Sequence, residues 1–235
     1  LGQVVGGLVP FIYFCRPNDS KLRFKITKLE FSPIIKACTN GSSELLSNIS
    51  SSIVSMLYNV QLMKFYGEKG VSAYGVLMYV QFVFLAIEIG YSIGTAPIIA
   101  YNYGAQNIGE MKNVLKKSVI TMSACGIFLT GLAEGLSVPL SYIFVRNNKE
   151  LYDLTVYALR LFSFAFLFSG INIFSSSFFT ALNNGLVSAI LSFMRALVFQ
   201  ATFVFLLPVL WGREGIWFAS LATELFAFIA SVLFL

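Results

Sequence analysis

Long apolar runs separated by short polar loops are the strongest constraint on this chain. Six runs, at about 33–63, 71–101, 114–138, 151–182, 186–210 and 215–235, each hold enough apolar residues to cross a bilayer, and a shorter run occupies 1–15. A spanning helix needs roughly 20 mostly apolar residues. Inside lipid each backbone polar group needs a partner within the protein, which favours helices for segments of this length. The expected class is therefore an all-α integral membrane protein: a six-helix transmembrane bundle preceded by one truncated helix. Composition agrees, since 57% of residues are hydrophobic and 11% charged, against about 25% charged in soluble domains. The chain opens at Leu1 and stops at Leu235 inside apolar runs, so it reads as a fragment of a longer protein, with no signal-peptide pattern.

The net charge of +5 does not point to nucleic acid, because the basic residues lie in loops between apolar runs and form no stripe with interleaved aromatics. There they set topology instead. Residues 16–36 hold Arg16, Lys21, Arg23, Lys25, Lys28 and Lys36, and the loop after the 71–101 run leads to Lys112, Lys116 and Lys117. These loops, with 183–185 by alternation, are expected on the cytoplasmic side. The organisation expected is 1–15 as the end of a preceding helix, 16–32 as a basic linker on the anionic membrane surface, and 33–235 as the six-helix unit. Histidine is absent, which removes histidine acid–base chemistry and histidine metal sites. Cys15, Cys38 and Cys125 have no paired spacing and read as small buried hydrophobes; no metal site and no cofactor is expected. The two aspartates, Asp19 and Asp153, lie in a loop and at a helix end, so no catalytic dyad forms and an enzyme is not expected.

Polar residues recur every three or four positions along five runs, the spacing of one helix face. The stripes are Asn40, Glu44, Asn48, Ser51, Ser55 and Asn59; Tyr74, Gln81, Glu88, Ser92 and Thr95; Ser169, Asn172, Ser176 and Thr180; Ser188, Ser192, Arg195 and Thr202; and Trp217, Ser220, Glu224 and Ser231. Hydroxyl and small residues can simply join helices to one another. Charges within spans are costly and usually face a protein interior or a watery cavity. Four qualify: Glu44, Glu88, Arg195 and Glu224. Three acids against one base suit a cationic substrate, Na+ or protons. By depth, Glu88 and Arg195 are nearly level and could pair, with Glu224 as the alternative partner. Glu44 is then left as the acid most available for function. Glu134 and Arg160 lie nearer their run ends and read as interfacial.

The segment GYSIGTAPIIAYNYGAQN, Gly90 to Asn107, resembles the end of the eighth membrane helix of the multidrug and toxin extrusion (MATE) family. Its Gly90, Gly94, Pro97, Asn102, Tyr103, Gly104, Ala105 and Asn107 carry the likeness. SSELLSNISSSIV (42–54) is similar to that family's seventh helix, and FSSSFFTALNNGLVSAILSFMRALVFQ (174–200) to its tenth helix, tight turn and eleventh helix. The resemblance implies the second lobe of a twelve-helix transporter whose two lobes are joined by a cytoplasmic linker. Physically, Gly90 and Gly94 are expected to allow close helix packing, Pro97 to kink the helix, and Gly104 to supply turn freedom.

The same resemblance implies a multi-pass plasma-membrane antiporter. It would export amphipathic, often cationic, compounds against a Na+ or H+ gradient by alternating access. Its partners would be those small molecules, the lipid bilayer and the missing first lobe. One branch of the family has a Glu on helix seven and an Asp on helix ten. Here Ser51 stands at the position of that Glu, and helix ten offers Asn172 and Ser176 in place of an acid, so the branch's ion site does not carry over. The candidate constellation is instead Glu44, Asn48, Asn172 and Ser176, whose hard oxygens could ligate Na+ or whose Glu44 could relay a proton. Glu88, Arg195 and Glu224 are secondary intramembrane charges. Phe174 and Phe178 could face a flat cation, although such rings more often face lipid or core. The alternative is a lipid-linked oligosaccharide flippase of the same superfamily, which should line its cavity with bases.

Overall fold

The computed structural model describes residues 2–16 and 30–235. The basic linker stretch Lys21, Arg23, Lys25 and Lys28 lies outside the described residues. Contacts divide the chain into two units, Leu1–Lys36 and Ala37–Leu235. In the first, α1 (Gly2–Cys15) is an apolar helix with Pro10 inside it. Helix α2 (Phe31–Asn40) runs from the first unit into the second.

The second unit continues with α3 (Ser42–Gly104), α4 (Ile108–Val145), α5 (Lys149–Ser163), α6 (Phe166–Ala181), α7 (Gly185–Phe193), α8 (Gln200–Trp211) and α9 (Gly215–Phe234). A π-helical stretch, Met194–Phe199, joins α7 to α8, and a short 3-10 turn, Gly212–Glu214, joins α8 to α9. A straight helix as long as α3, 63 residues, would measure roughly 95 Å, three times a hydrocarbon core of about 30 Å. It folds back instead at Gly67, where φ is 64° and ψ −153°. Gly212 repeats that conformation, with φ 64° and ψ −155°. Both lie in a region essentially reserved for glycine. The two arms of α3 are then antiparallel, and Tyr58 stacks on Tyr74 with ring centroids 4.9 Å apart. Helices α5 and α6 form one span bent by 49°. Divided at Gly67 and Gly212, the unit has six helical segments long enough to cross a bilayer: 42–66, 68–104, 108–145, 149–181, 185–211 and 215–234.

The ends are closed by short turns with side-chain caps. Asn107, Asn148 and Asn184 cap α4, α5 and α7, each accepting from a backbone N–H three residues on. In the Asn102–Asn107 turn the left-handed residue is Gln106 (φ 56°), and in the 182–184 turn it is Asn183 (φ 58°). Gly104 remains helical, so the expectation that it supplies the turn's freedom is corrected. At the opposite end Lys69 pairs with Glu150, Tyr157 donates to Glu214 at 3.3 Å, and the Arg213 guanidinium sits over the Tyr66 ring.

Two apolar clusters fill the bundle. One holds Leu62, Leu77, Phe84, Leu129, Phe162, Phe166, Ile216 and Trp217; the other, toward the Gly104 end, holds Ile99, Met122, Ile171, Phe174 and Phe178. Phe174 and Phe178 are therefore core residues and line no open surface. Close helix approach occurs at Gly126, Gly170, Gly185 and Gly215, where an added Cβ would meet a neighbouring segment within 3.2 Å. At Gly90 and Gly94 nothing described lies within 4 Å. Those two glycines make no close crossing within this unit, contrary to expectation.

Candidate functional site

Between the two apolar clusters lies a polar layer organised by one face of α6. Phe84 packs on Phe166 on one side of it, and Tyr91 on Phe174 on the other. Ser169 and Asn172 are three residues apart on α6, so they project from the same face, and each holds one buried acid.

Glu88, from the second arm of α3, is 0% exposed. Both of its carboxylate oxygens lie 2.8 Å from Ser169 Oγ. The small residue beside Ser169 is needed for this fit, since a Cβ on Gly170 would lie 3.4 Å from Glu88 Oε1 and 3.2 Å from Met122 Sδ. Ser92, one turn along α3, donates to the Glu88 carbonyl. Among the described residues Glu88 has no salt-bridge partner.

Glu224, from α9, is also buried but is fully partnered. Arg195 Nε donates at 3.0 Å to each of its oxygens, and Arg195 Nη2 lies 2.9 Å from Oε1. Asn172 Nδ2 donates to Oε2 at 2.7 Å and to the Glu224 carbonyl at 2.9 Å. Ser231 completes the chain by donating to Asn172 Oδ1. Arg195 sits in the π-helical stretch, a distortion that often appears at functional positions. Of the two partners anticipated for Arg195, the fold selects Glu224 for direct contact. A buried charge left without a counter-charge is strongly destabilising, and the bidentate pair removes that cost for Arg195 and Glu224 together.

Toward the Gly104 end, Ser176 joins Ser188 and Ser192 at 2.9 and 2.6 Å, and Thr180 joins Ser188 at 2.6 Å. These hydroxyls bond α6 to α7. Glu134 accepts from Ser163 at 2.7 Å and faces Arg160 at 3.9 Å.

The four candidates from the sequence divide into two groups. Asn172 and Ser176 are inside the bundle, bonded to Glu224 and to α7 as described. Glu44 and Asn48 are on the exposed face of the first arm of α3, and their one mutual bond runs from Asn48 Nδ2 to the Glu44 carbonyl at 2.8 Å. No described hydrogen bond links one group to the other. The reason is helical register. The buried residues of that arm are Ser50, Val54, Tyr58, Gln61 and Leu62, so the stripe through Glu44, Asn48 and Ser51 looks away from the core. Stripes on the other helices turn mostly inward, although Thr202 is exposed. The Glu88–Ser169 pairing was not anticipated. Its sequence signal was present, since Glu88 and Ser169 each lie on a polar stripe, and the glycine following Ser169 marks room for a large partner.

The MatE family model matches residues 45–206. The multidrug export protein MepA of Staphylococcus aureus (strain bovine RF122 / ET3-1) is 23% identical over 99% of this chain and 51% of its own length. MepA of Staphylococcus haemolyticus (strain JCSC1435) is 27% identical over 98% of this chain and 50% of its own. A MATE transporter crystallised in complex with MaL6 superposes with a TM-score of 0.90 at 18% identity, covering 98% of this chain and 53% of that one. The chain spans about half the length of the curated relatives it matches.

Proposed function

The chain belongs to the MatE family, and on that footing we propose that it forms one lobe of a cation-coupled exporter of amphipathic, often cationic, compounds. The exporter works by alternating access in the plasma membrane, and needs Na+ or H+ as coupling ion and no other cofactor. Its partners are the small-molecule substrate, the bilayer and the remainder of the transporter; it acts on no nucleic acid and catalyses no covalent reaction. The observation that carries this reading is the family match joined to a buried acid without a salt-bridge partner among the described residues, Glu88, inside the bundle. Such groups in spans mark ion or proton pathways. The flippase alternative is not favoured, because the one described base deep in the spans, Arg195, is already engaged by Glu224 and offers no free cation to an anionic lipid.

The test is ethidium accumulation in energised cells expressing the full-length protein that carries this chain. Expressing cells should exclude the dye relative to an empty control and lose that ability when an ionophore collapses the gradient. Exclusion that survives loss of every ion gradient would refute coupling. Equal accumulation in expressing and control cells would refute export of this substrate class.

A further inference from the structure

Building on the export reading above, we propose that this lobe couples to one proton, carried by Glu88, and that Arg195 is a built-in cation that keeps Glu224 out of the ion cycle. The argument rests on how differently the two buried acids are partnered. Glu224 receives three contacts from the Arg195 guanidinium and one from the Asn172 amide. Its charge is balanced within the protein, and both oxygens are occupied. Among the described residues Glu88 has one side-chain hydrogen-bond partner, the Ser169 hydroxyl, equidistant from both oxygens.

That partner suits either protonation state of Glu88. With the carboxylate ionised, the Ser169 hydroxyl donates to it. With the carboxyl protonated, its O–H donates to Ser169 Oγ, and the Ser169 hydroxyl turns to the Phe166 carbonyl, 3.5 Å away. One proton is gained or lost and no other group has to move. A hard metal cation needs several oxygen donors at once. The described surroundings of this carboxylate are otherwise soft or apolar: Gly170 beside it with Met122 Sδ against the same glycine, Phe84 and Phe166 in the cluster on one side and Phe174 on the other.

The charged and titratable groups acting on Glu88 are Glu224 from α9, Arg195 from the π-helical stretch, and the Cys125 thiol from α4. Two acids and one fixed guanidinium leave one negative charge when both acids are ionised. One proton on Glu88 brings the layer to neutrality. A layer with no net charge crosses between packing arrangements at lower electrostatic cost than a charged one, which ties the proton to the conformational step.

The experiment uses inside-out vesicles containing the full-length protein, with ethidium as probe and choline replacing Na+. An acid-inside pH gradient should drive ethidium uptake, and a Na+ gradient imposed alone should not. Glu88→Gln should lower the pH-driven uptake roughly tenfold or more, and its ethidium affinity should lose the rise with pH that native protein shows. Arg195→Met should abolish uptake by leaving Glu224 unpaired. The double variant Arg195→Met/Glu224→Met should restore pH-driven uptake to within about threefold of native. As a measurement independent of variant activity, ethidium binding in weakly buffered solution should release one more proton from native protein than from Glu88→Gln. Uptake driven by Na+ alone, full pH-driven uptake by Glu88→Gln, an equal proton release from both, or a folded double variant that binds ethidium but has lost the pH drive would each overturn the assignment. Native protein that neither binds nor accumulates ethidium under any gradient would instead overturn the export reading beneath it.

Discussion

The most demanding packing contact near the polar layer is at Gly126, and its substitution tests how α6 is positioned. Gly126 lies on α4, where the bend between α5 and α6 presses backbone against it. A Cβ there would sit 2.6 Å from the Phe166 carbonyl oxygen, 3.1 Å from that of Leu167 and 3.2 Å from Leu167 Cα. Ordinary contact begins near 3.4 Å, so Gly126→Ala requires α4 and the start of α6 to separate by about 0.8 Å (3.4 − 2.6). The obstacle is backbone, which cannot rotate aside. Overpacking of this kind costs about 1–3 kcal/mol. At the middle of that range the melting temperature should fall by roughly 4–8 °C, from about 2–4 °C per kcal/mol for a unit of this size. Gly131 and Gly135 lie on the same helix, and nothing described stands within 4 Å of their added Cβ. Alanine there should be neutral or raise stability by roughly 0.4–1 kcal/mol. The assay is thermal unfolding of the full-length protein in detergent, followed by size-exclusion of the surviving fraction. Ser169 is one turn from Phe166, so Gly126→Ala should also slow export more than either control. If the three variants melt together, the α4–α6 contact does not set the position of the layer and the packing argument fails.

Two further outcomes follow from the geometry. Gly67→Ala and Gly212→Ala should each cost about 1–3 kcal/mol, because their φ and ψ are closed to residues with a Cβ; Gly104→Ala, helical with open space around it, should melt like native, and equal effects at all three would refute the turn assignment. Asn172→Ala removes two donors from Glu224 and orphans Ser231, which should cost about 1–3 kcal/mol. Asn172→Asp should be worse, since a second carboxylate would meet Glu224 directly where the amide now donates at 2.7 Å, with one guanidinium to balance both; thermal melts above pH 7 that rank the two variants the other way would refute the charge balance given to Arg195 and Glu224.

Much of the fold could be read from spacing because lipid imposes one solution on each apolar run. The runs at 114–138 and 186–210 fall inside α4 and the α7–α8 span, and the run at 215–235 matches α9 to within one residue. The inward stripes through Glu88 and Glu224 were also legible, each marked by a charge. The first stripe misled in one respect. A regular polar face on a membrane helix states that the face is special, and does not state whether it looks into its own bundle. Glu44 and Asn48 are on such a face, and the buried one is offset from it, through Ser50, Val54 and Tyr58. The glycine spacing at Gly90 and Gly94 carried the same ambiguity, since two glycines four apart offer a groove without naming what fills it.

Sequence alone determined the class, the number of crossings and the inventory of charges within them, since burying an ionised group or an unpaired backbone in lipid is costly wherever it occurs along the chain. Only the tertiary structure decided which charges meet. Arg195 could reach Glu88 or Glu224 by depth, and the rotation of α9 together with the π-helical stretch gives its guanidinium to Glu224. That choice leaves Glu88 with the Ser169 hydroxyl as its described side-chain partner, because partnership across a bundle depends on helix rotation and on clearances of a few tenths of an ångström, such as the one Gly170 provides, and a linear pattern records neither.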